Sequence, residues 1–216
     1  MYTLTEENYL KAIYKLSLQA ENVSTNQIAA ALETRASSVT DMLRKLADKL
    51  LINYTRYQGV SLTKTGEKVA VSIIRKHRLW EYFLVEKLNF KWDEVHAMAE
   101  EMEHISSTEL IDRLDEFMGF PARDPHGDPI PDSEGNFKIN DLKPISAVAV
   151  NACGIISGVR DHSSAFLQYL EKQKLTIGKK IMVKEVIAYD NAVVLQMDNK
   201  DLQISRDVAN NLLIAL

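Results

Sequence analysis

Within the first 63 residues the hydrophobic period changes once, from helical to alternating, and that change limits the folds open to the chain. Tyr9, Leu10, Ile13, Tyr14 and Leu16 recur at the 3.6-residue spacing of an amphipathic helix, with Thr5 as its cap. Ser24 opens a second helical segment, STNQIAAALE, and a third runs over residues 36–50 with Val39, Leu43, Leu46 and Leu50 inward. The segment INYTRYQGVSLTKTGEKVA then holds two short β-type runs around Gln58-Gly59, a hairpin ahead of a helix starting near Thr63. Three helices with short joins followed by a hairpin is the order of a winged helix-turn-helix.

Helical patterning continues through Gly119, with apolar stripes at Leu79, Phe83 and Leu84, at Val95, Ala99 and Met102, and at Leu110, Leu114 and Phe117. Such stripes suit burial in their own domain or against a second subunit. Residues 120–144 collect all five prolines together with Gly and Asp, which marks a boundary. From residue 145 onward, β-branched runs (SAVAVNACGII, KKIMVKEV, NAVVLQM, KDLQIS) predict a small β-barrel interrupted by one helix over residues 163–173. The expected fold is therefore mainly α with a C-terminal β-barrel. It divides into residues 1–63, a helical 64–120, a linker over 121–144 and the β domain over 145–216.

Composition removes several classes. A hydrophobic content of 46% with 26% charged residues suits a soluble globular chain. No stretch approaches the roughly 20 apolar residues of a membrane helix, and MYTLTEENYL lacks the features of a signal peptide, so a cytoplasmic protein with no membrane partner is expected. The single cysteine, Cys153, rules out an internal disulfide and a thiolate zinc site. In the apolar run AVAVNACGIISGV it reads as a buried, inert thiol. The net charge of -4 hides an asymmetry: residues 1–75 carry 10 Lys and Arg against 7 Asp and Glu, and residues 76–120 carry 5 against 11. Positive charge is thus concentrated where a DNA-facing module needs it to displace counterions from phosphates.

The outward face of the third helix reads Arg35, Ser37, Ser38, Thr40, Asp41 and Arg44, with short hydroxyls at the end that reaches phosphates. Arg56 and Tyr57 at the hairpin tip are candidates for further backbone contacts. Further along, His77 and Glu81 stand four apart on one helix face, and His96, Glu100, Glu103 and His104 stand at i, i+4, i+7 and i+8 on the next. Two strips of imidazole and carboxylate exceed the needs of one four-coordinate ion, so two metal sites are expected. Donors without thiolate suit Mn(II), Fe(II), Co(II), Ni(II) or Zn(II), and Glu in place of Cys favours the harder ions. The same spacing also occurs on solvated helix faces, and His126 in the linker reads as a bystander. Two other functions compete. The Glu101 to His104 spacing is that of helical di-metal carboxylate oxidases, but those need it on two helices and it occurs once, so no enzyme is expected. A winged-helix regulator with an organic effector is the other.

Several segments together, NYLKAIYKL, SSVTDMLRKLADKLLI, LTKTGEKVA, RKHRLWEYFL, VHAMAEEMEH and PHGDPIP, resemble the metal-dependent repressors of the diphtheria toxin repressor and manganese transport regulator type. That resemblance covers nearly the whole chain. It implies a repressor of metal-homeostasis genes that binds operator DNA as a homodimer when Mn(II), or alternatively Fe(II), is bound, with an SH3-like domain at the C-terminus. It also implies that His77, Glu81 and His96 form an ancillary metal site, and that Glu100, Glu103 and His104 with Asn8 form the primary one, giving two sites per subunit. Iron-responsive members carry Cys where this chain has Glu100. Asn8 stands where relatives have Met or Asp, and Lys11 where two-manganese relatives place Glu, which favours two separate sites over a bridged pair. Asp161 and His162 are further candidate ligands from the β domain.

Overall fold

The computed structural model describes residues 2–20, 22–55, 58–138 and 141–216. They form two compact units. The first comprises Met1–His77, Glu100–Leu114 and Pro131–Asn136. Its first helix, α1 (Leu4–Ser17), starts from Thr3 and not from Thr5. The Thr3 hydroxyl accepts from the Glu6 N–H at 3.3 Å while the Glu6 carboxylate accepts from the Thr3 N–H at 3.1 Å, so two orphan donors are satisfied and Thr5 falls inside the first turn. Ser24 and Gln27 form the same reciprocal cap on α2 (Thr25–Ala31). Helix α3 (Ala36–Asp48) follows. Strands β1 (Ile52–Thr55) and β2 (Gly59–Leu62) then pair antiparallel from Ile52↔Leu62 to Thr55↔Gly59, as the change of period predicts.

The core beneath these elements is made by Leu10, Ile13, Ile28, Val39, Leu43, Leu46, Leu51 and Val60, all essentially inaccessible. Each such side chain contributes roughly 1.5–3 kcal/mol by leaving water. Leu50, expected inward, is exposed: it closes α3 with a φ of +57° and turns out of the helical face. The Thr63 hydroxyl donates to the Leu50 carbonyl at 2.8 Å and accepts from the Gly66 N–H at 3.1 Å, which starts α4 (Lys64–Glu86). A Cβ on Gly66 would lie 1.9 Å from the Leu51 carbonyl oxygen, so only glycine lets this helix start so close to the end of α3.

Helix α5 (Val95–Met102) is shorter than the spacing predicts. It stops before Glu103 and His104 because Ser107 begins a new helix: its hydroxyl accepts from the Leu110 N–H at 3.2 Å, and α6 (Thr108–Phe117) follows. The expected single strip from His96 to His104 is therefore divided, with two members on α5 and two in the turn after it.

The second unit comprises Arg78–Ala99, Asp115–Ile130 and Phe137–Leu216. Its strands are β3 (Lys143–Pro144), β4 (Cys153–Val159), β5 (Lys180–Val186), β6 (Val193–Met197), β7 (Lys200–Ile204) and β8 (Leu212–Ala215), in the spatial order β3-β8-β4-β5-β6-β7 and all antiparallel. The sheet is open, with β3 and β7 as its edges among the described residues, so the expected closed barrel is not formed. Helices α7 (Ser164–Lys172) and α8 (Arg206–Asn211) supply Leu167, Leu170 and Ala209 to the core that closure would otherwise have to seal with strands. The mainly α description accordingly holds for the first 120 residues and not for the rest, where strands form the main scaffold. Cys153 is exposed at the start of β4, which corrects the expectation of a buried thiol.

Residues 123–130, read from sequence as part of a linker, form a packed loop in this unit, with Asp124, His126 and Ile130 all buried. Gly127 makes the close approach possible: its φ is +89°, and a Cβ there would lie 2.2 Å from the Ser157 carbonyl oxygen. The Val159 N–H then donates to the His126 carbonyl at 2.9 Å and ties the loop to β4.

Candidate metal centre

In the first unit α1, α4 and the turn after α5 bring together Lys11, His77 and Glu103, all buried, with Glu7, Lys76, Glu100 and His104 around them. Glu103 Oε2 accepts from Lys11 Nζ at 2.6 Å and lies 2.7 Å from His77 Nδ1. Lys11 Nζ is also 3.6 Å from Glu100 Oε1 and 3.5 Å from His77 Nδ1. His104 Nδ1 lies 2.6 Å from Glu7 Oε2, and its Nε2 is 3.8 Å from Glu103 Oε1. Burial alone would raise the pKa of Glu103, but hydrogen bonds from His77 and Lys11, with the Lys11 charge, hold it below the usual carboxylate range. Desolvation pushes the Lys76 ammonium down, against the pull of Glu7 and Glu103. Asn8 is exposed and lines a shallow pocket with Lys11, Lys15, Glu33 and Glu100.

The residues expected to form the primary metal site are therefore close together, yet they do not fit a divalent ion as they stand. A carboxylate-bound ion sits about 2.0–2.2 Å from its oxygen. The Lys11 ammonium already occupies that side of Glu103, and it also reaches Glu100. Two like charges at such a separation exclude one another in a buried site.

In the second unit the donors have no lysine among them. Glu81 on α4 and Asp124 and His126 on the loop are all buried, and one donor atom from each lies within 4.8 Å of the others. His126 Nε2 lies 2.8 Å from the Trp92 carbonyl oxygen, so it carries the proton and donates, leaving Nδ1 turned toward Glu81 Oε2 at 3.5 Å. An imidazole held by one nitrogen on a backbone carbonyl with the other directed at carboxylates is the arrangement of a metal ligand. His96 Nδ1 is 3.0 Å from the other Glu81 oxygen. Arg78 braces the loop through the Pro129 carbonyl at 2.6 Å and the Asp128 carboxylate at 3.0 Å.

The charge state of this cluster fits an ion as well. Burial, then Asp128 and Glu81, push the Asp124 carboxyl up to about 7. Burial would lower His126, but the hydrogen bond and charge of Glu81, with Asp124 and the Trp92 carbonyl, carry it up to about 9. Without an ion, protons balance the two carboxylates.

Of the sequence candidates, His96 Nδ1 lies 3.0 Å from Glu81 Oε1, and His77, one turn before Glu81 on α4, has its Nδ1 2.7 Å from Glu103 Oε2. Asp161 accepts from the Ser163 N–H at 2.8 Å, and the His162 ring stacks on His126 with 4.9 Å between centroids. Sequence reasoning missed Asp124 and His126 as a donor pair and Glu7 as the partner of His104. The Asp-x-His spacing inside a Pro-rich run was the available signal for the first. On α3, Arg35, Ser37, Ser38, Asp41 and Arg44 are exposed, and Thr40 is half-buried with its hydroxyl donating to the Ala36 carbonyl at 3.0 Å. Arg44 and Asp41 pair at 3.4 Å. Arg56 and Tyr57 lie outside the described residues.

Three family patterns cover the chain. The iron dependent repressor N-terminal DNA binding domain matches residues 1–60, the iron dependent repressor metal binding and dimerisation domain matches residues 63–132, and the FeoA domain matches residues 143–216. The iron-dependent repressor of Mycobacterium leprae is 33% identical over 127 residues, 59% of this chain and 55% of that protein, so the chain spans about half the length of this relative. The diphtheria toxin repressor of Corynebacterium diphtheriae is 26% identical over 97% of this chain and 96% of its own. A solved structure described as a manganese-dependent transcriptional repressor in complex with manganese superposes with a TM-score of 0.85 at 30% identity, covering 97% of this chain and 99% of that one.

Proposed function

The chain belongs to the iron-dependent repressor family of the diphtheria toxin repressor and manganese transport regulator type, and on that premise we propose that it is a metal-dependent transcriptional repressor acting on operator DNA in the cytoplasm. The observation that carries this reading is the buried Glu81, Asp124 and His126 donor set in a chain whose α3 presents an exposed, hydroxyl-rich and basic face. The donors are nitrogen and oxygen only, which suits Mn(II) first and Fe(II) second. A bound ion would supply the positive charge that protons on Asp124 and His126 supply without it.

Residues 1–63 serve as the DNA-binding module, 64–120 as the metal-binding and dimerisation segment, 121–144 as the connection between them and the sheet domain, and 145–216 as that domain. On α3, Ser37 and Ser38 contact phosphate, and Arg35 and Arg44 add charge, with Arg56 from the hairpin tip. Asp41 and Thr40 lie where base edges are read. A homodimer is supported by apolar side chains left in water, including Phe117 at 66% and Phe120 at 68% exposure.

The test is DNA binding to a fragment selected from a random library, measured anaerobically at one salt concentration with Mn(II), Fe(II) or chelator. Glu81→Gln is expected to lose the response to metal while keeping its fold. Arg44→Ala is expected to weaken DNA binding under every metal condition. Binding that ignores both metal and Glu81 would leave an organic effector as the better reading.

A further inference from the structure

The first cluster contains a charge that its metal-binding expectation does not explain. Lys11 is 6% exposed and Glu103 is 1% exposed. A lysine ammonium is rarely so buried unless its surroundings require it. Here its ammonium reaches both Glu103, at 2.6 Å, and Glu100, at 3.6 Å, and it is 3.5 Å from His77 Nδ1. These three residues come from α4, α5 and the turn after α5, while Lys11 comes from α1, so one side chain draws together the same elements that a shared ion would. Its four-carbon stem fixes it to α1 permanently, whereas an ion's occupancy depends on concentration.

We propose that the Lys11 ammonium is a built-in substitute for the divalent cation at the Glu100, Glu103 and His104 set. It satisfies Glu103 and Glu100 in the metal-free chain and keeps an ion out. The first unit is then assembled with or without metal at Glu103, and the response to metal falls to the donors around Glu81. This rests on the reading of the chain as a metal-dependent regulator, but its test uses no DNA.

The experiment is a Mn(II) titration of metal-stripped full-length protein, followed by electron paramagnetic resonance of the free ion, with thermal melts in chelator alongside. Glu103→Gln is expected to bind as many Mn(II) per subunit as the wild-type chain, because Glu103 is not a ligand while Lys11 is present. Lys11→Met, which keeps the volume of the stem, is expected to bind one more Mn(II) per subunit. Adding Glu103→Gln to Lys11→Met removes that extra equivalent. In chelator Lys11→Met melts below wild type, and Mn(II) restores it more than it shifts the wild type. Loss of one Mn(II) per subunit in Glu103→Gln alone overturns the proposal, whether or not the Lys11 variant folds. So does an unchanged stoichiometry in folded Lys11→Met. Either result would leave the operator-binding reading standing, since that one fails only if DNA binding is absent or ignores metal.

Discussion

The carboxylate and imidazole clusters described in the two units balance their charge by opposite means. In the first unit a lysine supplies a permanent positive charge to Glu103. In the second, Glu81 faces the imidazoles of His96 and His126, Asp124 has Arg78 Nε at 3.6 Å, and the remaining deficit appears as raised proton affinity on Asp124 and His126. Carboxylates and imidazoles at helical spacing are thus not enough to define a metal site. What decides it is whether the fold also delivers a cation of its own.

The sharpest way to break this comparison is to remove that cation. Lys11→Met leaves Glu103 buried beside a neutral side chain, and loss of one member of a buried pair costs about 3–5 kcal/mol. Chemical denaturation in chelator, read by hydrogen exchange at the amides of α1, should show a loss of that size. A loss under about 1 kcal/mol, the worth of an exposed pair, would mean that Lys11 is incidental to the cluster.

Glu81→Gln is the matching change in the second unit. Because Glu81 faces both His96 and His126, its loss should weaken Mn(II) binding by more than the roughly 10–100-fold that removal of an outer partner costs. The stability of the metal-free chain should hold or rise, since one of two crowded carboxylates is gone. The two substitutions therefore have opposite expected signs in chelator, and equal destabilisation by both would erase the distinction between the clusters.

Much of this was legible before any coordinates. The helical and alternating periods place α1, α2, α3 and the hairpin almost residue by residue, because each is set by its own local pattern of apolar side chains. Glu81 and His96 were legible from spacing. Lys11 was visible as a departure from the family pattern, but the reach of its ammonium to a residue 92 positions away depends on packing that no local pattern encodes. His126 was misread for a similar reason: prolines and glycines mark irregular backbone, and they do not say whether that backbone is exposed. Gly127 presses the loop onto β4, and only the position of Ser157 reveals it. The extent of α5 was over-read because Glu103 and His104 fit the helical period by chance of spacing, while the Ser107 cap that restarts the chain as α6 is a local competitor.

The pH response separates the clusters next. Asp124, carried from 3.8 to about 7, and His126, carried from 6.5 to about 9, hold protons more tightly folded than unfolded. Their contribution is complete below the unfolded values and is lost as pH rises through 7 and then 9, an effect of a few kcal/mol. Glu103 has the opposite sign: its contribution is present above 4.5 and is lost as pH falls through its lowered value. Both tryptophans, Trp80 and Trp92, lie in the second unit, so fluorescence melts in chelator follow that unit alone. They should weaken from pH 6 toward 9, and His126→Gln should flatten the upper part of that fall. A melting temperature that climbs over this range would contradict the charge state assigned to the second cluster.

The smallest expected effect is the most local one. Thr3→Ala removes the hydroxyl that accepts from Glu6 and breaks the reciprocal cap of α1, at a cost of about 1 kcal/mol. Glu7 and Lys11 lie one and two turns into this helix, so the loss should appear as faster hydrogen exchange at the start of α1 and a small drop in the stability that Lys11 confers. Ser163→Ala, which removes the equivalent cap of α7 in the second unit, should instead shift the tryptophan melt by a similar amount and leave exchange in α1 unchanged. If Thr3→Ala lowers Mn(II) affinity as much as it loosens α1, an ion bound at the first cluster is sharing the work assigned to Lys11. If Mn(II) affinity is unaffected, the ion and the lysine act on separate parts of the chain.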